Sequence, residues 1–135
     1  MVLLEDRNIT LSSKNESISH IEGYVSDFCS DLEISEDYYG NILVAVTEAV
    51  TNAIQHGNRY DSNKNVTLNF SSKENKVTIS VTDEGKGFDY NNIPDPTSPE
   101  NIEKPNGRGV FLMKSLSDEV AFEDKGRKVI LKFNI

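Results

Sequence analysis

The sequence has no tryptophan, two histidines and a single cysteine. Alone, Cys29 excludes an internal disulfide and a cysteine-built zinc cluster. No apolar run approaches the roughly 20 residues that span a bilayer, so no membrane anchor is expected. The opening stretch, MVLLEDRNIT, lacks a basic start and a long apolar core, which argues against a signal peptide. Basic residues are also few: 14 Lys and Arg stand against 22 Asp and Glu, a net charge of −8. Binding to nucleic acid draws on a basic face, so that class of partner is not expected. At 135 residues the chain has room for one compact domain, expected over 1–135, and none for an added sensor or dimerisation module. The cytoplasm is the default compartment.

What is present falls into two periodicities. Ile18, Ile21, Val25, Phe28, Cys29 and Leu32 recur at helical spacing, with Asn15 or Ser17 as the expected cap. A second helix is expected after Ser35, its first turn carrying Glu36 and Asp37 at the positive end of the dipole. Its stripe is Tyr39, Ile42, Leu43, Val46, Val50, Ala53 and Ile54, and Gly57 ends it. Beyond residue 65 the period becomes two: Val66, Leu68 and Phe70, then Val77, Ile79 and Val81 after a turn at Glu74 and Asn75. Val120 with Phe122, and Val129 with Leu131 and Phe133, repeat the pattern around Lys125 and Gly126. A weaker strand is expected from Asn8 to Leu11, and a third helix from about Arg108 to Leu116. One apolar face per strand implies a sheet covered on one side. The expected fold is therefore α+β, a two-layer sandwich of a mixed, mostly antiparallel sheet under three helices.

One segment has neither period. Residues 88–106 hold all four prolines, Pro94, Pro96, Pro99 and Pro105, and lie between Gly85 and Gly87 on one side and Gly107 and Gly109 on the other. A connection of this length in a small domain is commonly a lid or binding loop, and a hinged flap is expected here.

Three clusters carry possible chemistry. Asp83 follows Val77, Ile79 and Val81 in parity, which aims its carboxylate at the core face, where an unpaired charge is costly. It either awaits a donor or simply opens an Asp–x–Gly turn. Glu48, Asn52 and His56, spaced by four, share a stripe beside the apolar one. A carboxylate one turn from an amide suits activation of a hydroxyl and completion of a magnesium shell; a merely solvated face is the other reading, and His56 alone would suit a helix end. Gly107-Arg108-Gly109 opens a helix, where free N–H groups take phosphate. Lys104 and Arg108 would offset its charge, or stand as exposed cations on a loop.

The order of these clusters resembles the GHKL ATPase superfamily. Its N-box is similar to Glu48-Ala-Val-Thr-Asn52-Ala-Ile-Gln-His56-Gly57, its first glycine box to Asp83-Glu-Gly85-Lys-Gly87-Phe88, and its second to Gly107-Arg-Gly109-Val-Phe-Leu-Met-Lys-Ser-Leu. The stretches TEAVTNAIQHGN and GVFLMKSLSDEV read most like the bacterial anti-sigma-factor serine kinases. The likeness is good over residues 35–133 and loose before them.

That resemblance implies ATP and magnesium as cofactors. It makes Glu48 the general base and Asn52 the magnesium ligand. Asp83 would accept from the adenine amino group, Gly85 and Gly87 would hinge the flap, and Gly107 and Gly109 would hold phosphates. His56, Lys104 and Arg108 would complete the ATP site. It further implies a homodimer that phosphorylates a STAS-type anti-anti-sigma protein and sequesters a sigma factor; the alternative is an inactive ATP-binding module that holds a partner without transfer. Two positions depart from the pattern: Lys128 stands where a threonine often helps bind adenine, and His20 where an arginine often meets partners. Arg108, between its two glycines, replaces a frequent apolar residue.

Overall fold

A computed structural model describes residues 5–87 and 105–135. The chain runs β1 (Glu5–Ser12), a one-turn α1 (Asn15–Ile18), α2 (Ile21–Asp31), α3 (Glu36–Asn52), β2 (Asn65–Lys73), β3 (Lys76–Thr82), α4 (Pro105–Leu116), β4 (Glu119–Glu123) and β5 (Lys128–Asn134). The five strands form one sheet in the order β1-β2-β3-β5-β4. All four pairings are antiparallel.

Alternation decides which face is covered. Along β2, Val66, Leu68 and Phe70 are buried while Asn65, Thr67 and Lys73 are exposed. Val77, Ile79 and Val81 repeat this on β3, and Val129, Leu131 and Phe133 on β5. Against that face lie Val25 and Phe28 of α2, Ile42, Val46 and Val50 of α3, and Val110 and Met113 of α4. Phe28 and Phe70 meet with ring centroids 5.2 Å apart. Full burial of a side chain of this kind contributes roughly 1.5–3 kcal/mol, and this contiguous cluster is what holds the two layers together. Cys29 belongs to it, and burial pushes its thiol up to about 11, which keeps it unreactive.

Local chemistry explains most boundaries. The Ser35 hydroxyl accepts from the Asp37 N–H at 3.2 Å and caps α3 as its position predicts. Glu74 and Asn75 take left-handed φ values of 51° and 65°, the geometry of a two-residue hairpin turn. Lys125 and Gly126 turn the last hairpin within a short 3-10 segment, Asp124–Gly126.

Three expectations need correction. The first helix is broken, because the Ser19 and His20 N–H groups close a turn on Glu16 and Ser17. Neither Asn15 nor Ser17 therefore caps α2, whose cap position is the exposed His20, with no side-chain bond. The weak first strand is longer than expected and pairs with β2 over its whole length. Helix α4 starts at Pro105, before Arg108; proline suits a first helical position, since its missing N–H would have no partner there. Of the expected flap, residues 88–104 lie outside the described residues, and the last two belong to α4.

Candidate nucleotide site

The helix that carries the N-box does not stay regular. After Asn52 it widens into a π-helical turn, Ala53–Gly57, closed by the Asn58 N–H on the Ala53 carbonyl at 2.8 Å. Such turns frequently occur at functional sites. This one changes the pitch between Asn52 and His56, so the spacing of four does not keep the pair alike: Asn52 is half-buried and His56 exposed. Burial nonetheless lowers the His56 pKa from its ordinary value.

The widened turn brings Gly57 onto the end of β3. A Cβ on Gly57 would fall 2.5 Å from the Asp83 carboxyl carbon, and one on Gly85 would fall 2.0 Å from the Gly57 carbonyl oxygen. Only glycine lets these two backbones close over the carboxylate. Asp83 is half-buried, and its Oδ1 accepts from the Gly85 N–H at 2.8 Å. Burial raises its pKa from its ordinary value, against the pull of that N–H and of Arg127. Gly87 has a φ of +83° and would press a Cβ to 2.1 Å from the Lys125 carbonyl oxygen, so the loop also abuts the turn before β5.

Beside Asp83 lies a cavity of about 440 Å³. Its walls combine Val81, Val110, Met113, Phe122 and Val129 with Asn52, His56, Asp83 and Arg127. Gln55 and Arg59 also line it, so apolar and polar side chains share its walls. Apolar walls with polar groups at fixed places suit the binding and orienting of a flat heterocycle. Glu48 is not among its lining residues. It sits one turn back along α3, where a Cβ on Gly109 would lie 3.2 Å from Glu48 Oε2 and 2.8 Å from Asn52 Nδ2. The structure thus gathers Asn52, His56, Asp83 and Gly87 around one cavity, with Gly85 behind Asp83 and Gly109 over Glu48 and Asn52. Gly107 lies in the first turn of α4, Arg108 is exposed on the same helix, and Lys104 lies outside the described residues. Lys128 begins β5, half-buried, paired with Thr82 and Glu123.

Reading the sequence missed Arg127 and Asn58, as well as Gln55 and Arg59 on the cavity wall. The Arg127 carbonyl accepts from the Asp83 N–H at 2.9 Å, and its guanidinium bonds Asp124 at 3.0 Å. Asn58 is buried and accepts from the Glu84 N–H at 2.7 Å. Its position directly after Gly57 was the only available signal.

A family model for the histidine kinase-like ATPase domain matches residues 11–133. The chain belongs to that family. It is similar to the serine-protein kinase RsbW of Bacillus cereus (strain AH820), with 28% identity over 138 residues, covering 97% of this chain and 86% of the relative. The proteins of the same name from Bacillus anthracis and Bacillus thuringiensis (strain Al Hakam) match equally, at 28% identity. Among solved structures, the RsbU and RsbW domains of Rv1364c from Mycobacterium tuberculosis superpose with a TM-score of 0.71 at 16% identity. That match covers 96% of this chain and 32% of the longer one, and it establishes the fold. Membership of an ATPase family implies use of ATP. Among the described residues, no helix is long and apolar enough to cross a membrane.

Proposed function

We propose that this chain is an ATP-dependent protein-serine kinase and anti-sigma factor of a partner-switching system, a single nucleotide-binding domain over 1–135 that works in the cytoplasm as a homodimer. Its substrate is a STAS-type anti-anti-sigma protein, and it sequesters a sigma factor when that protein is unavailable. The observation that carries the reading is the half-buried Asp83 carboxylate on the wall of a partly apolar cavity, with Asn52 on the same wall and Glu48 one turn beyond.

The residues fit the cofactors. Val81, Val110, Met113 and Val129 would hold a purine, and Asp83 would accept from its amino group. No group of three or more His, Cys, Asp or Glu side chains that could hold a metal occurs among the described residues. Asn52 would serve as the protein ligand of magnesium, an ion that commonly completes its shell with phosphate oxygens and water. ATP, when bound, would supply the phosphoryl group and leave as ADP, and magnesium would offset charge on its oxygens. What the protein contributes is position and charge: Asp83 orients the base, Asn52 faces the metal, and Glu48 takes the proton from the serine hydroxyl. Gly107, Gly109, Arg108 and Lys104 serve the phosphates, and His56 edges the slot.

One observation favours the second reading, a module that binds ATP and holds a partner without transfer: Glu48 lies outside the cavity lining, against Gly109. Incubating the purified chain with radiolabelled ATP, magnesium and its STAS protein decides between them. Phosphoserine on the partner supports the kinase. Tight ATP binding with no label on the partner leaves the holding module.

A further inference from the structure

Resting on the nucleotide reading above, we infer that Asn58 is a positioning residue that sets purine specificity by fixing the loop after Asp83. Three successive backbone N–H groups of that loop go to three different places. Asp83 donates to the Arg127 carbonyl at 2.9 Å, which ties it to the sheet. Gly85 donates to Asp83's own carboxylate at 2.8 Å. Between them, Glu84 donates to Asn58 Oδ1 at 2.7 Å. Asn58 is thus the side chain from outside the loop that receives one of these three donors.

Asn58 is itself immobilised. It is 2% exposed, and both amide hydrogens are used, one on Ser13 Oγ at 2.8 Å and one on the Asn65 carbonyl at 3.0 Å. Ser13 in turn donates to the Lys64 carbonyl at 2.8 Å. Glu84 closes the ring by accepting the Asn65 N–H through its carboxylate. The end of β1, the exit of α3, the start of β2 and the Asp83 loop are therefore joined through one buried amide. A satisfied network whose centre, Asn58 and Ser13, is buried rigidifies what it joins. Rigidity matters here because Gly57 and Gly85 leave the carboxylate no spare room: a small shift of Glu84 moves Asp83 relative to the slot.

A structural amide and a positioning amide differ in one measurable ratio. ATP and purine riboside triphosphate differ only by the 6-amino group that Asp83 would accept from. Affinities of both are measured by calorimetry for the full chain and for the Asn58→Ala and Ser13→Ala variants, with folding checked by circular dichroism. Wild type prefers ATP, Asn58→Ala reduces that preference about tenfold, and Ser13→Ala reduces it about two- to threefold. If wild type binds neither triphosphate, the nucleotide reading fails and takes this inference with it. If wild type prefers ATP but folded Asn58→Ala weakens both ligands equally, or neither, the inference alone is overturned. Should Asn58→Ala not fold, Ser13→Ala decides, an unchanged preference overturning it.

Discussion

The two ends of the candidate site are built in different ways. At the Asp83 end, a strand end, a helix exit and a hairpin turn press together so closely that a Cβ added at Gly85 or Gly87 would strike the backbone of Gly57 or Lys125. At the Glu48 end, Gly109 of α4 lies against the tips of two side chains on α3. At the first end Gly85 and Gly87 face backbone that cannot rotate aside, and only Gly57 faces a side chain, the short Asp83 carboxylate; at the second, both facing side chains can rotate. A rigid end suits recognition of a flat base, and a yielding end suits a site where a protein substrate must enter. Substitutions at matched positions test that contrast.

The largest effect is expected at the yielding end. Glu48→Gln should keep ATP affinity within about twofold and lower phosphoryl transfer to the STAS partner by roughly 10²–10⁴-fold, the usual range for a general base. Unaltered transfer in a radiolabel assay would remove Glu48 from that role. At the rigid end, Asp83→Asn should weaken ATP binding by roughly 10–100-fold, the scale of a hydrogen bond to a charged group, as read by calorimetry.

The same change carries a pH signature. Burial raises the Asp83 pKa, so the folded state takes up a proton on Asp83 more readily than the unfolded chain does. The wild-type contribution to stability is then full below the unfolded-state value and is lost as pH rises through the folded one. Asparagine does not titrate. Urea unfolding between roughly pH 3 and pH 7 should show Asp83→Asn gaining on wild type as pH rises; a gap that shrinks instead would contradict the buried-charge account.

Gly57→Ala should cost less binding but more stability. The new methyl would sit 2.5 Å from the Asp83 carboxyl, with Gly85 pressed behind it. Overpacking of this sort costs about 1–3 kcal/mol, and ATP affinity should fall about tenfold with the displaced carboxylate. Thermal melts and calorimetry on one sample read both.

Much of this was legible in the residues themselves. Alternation in Val66-x-Leu68-x-Phe70 and Val77-x-Ile79-x-Val81 gave the covered face, because a strand buried on one side must alternate. Ser35 and Gly57 marked both ends of the N-box helix through cap and exit chemistry. The π turn at Ala53–Gly57 was not legible, since Ala-Ile-Gln-His-Gly is compatible with a regular helix and only the packing of Gly57 on Asp83 selects the wider pitch. Asn58 was hidden for a related reason. Its partners Ser13 and Glu84 stand 45 and 26 positions away, and no local pattern announces such contacts. The break after α1 was missed because Ile18 and Ile21 keep helical spacing across a turn.

The smallest expected effect is the sharpest test of the contrast. Gly109 lies inside α4, where alanine is preferred over glycine by up to about 1 kcal/mol, and its φ carries no left-handed strain. A methyl there would stand 2.8 Å from Asn52 Nδ2 and 3.2 Å from Glu48 Oε2. Both atoms end side chains that can rotate aside, so Gly109→Ala should leave the melting temperature nearly unchanged or slightly raised. The displaced side chains should slow transfer several-fold, while ATP affinity moves less than with Gly57→Ala. Equal loss of stability in the two alanine variants would mean that both ends are equally stiff, and the assignment of recognition to one and entry to the other would lose its physical basis.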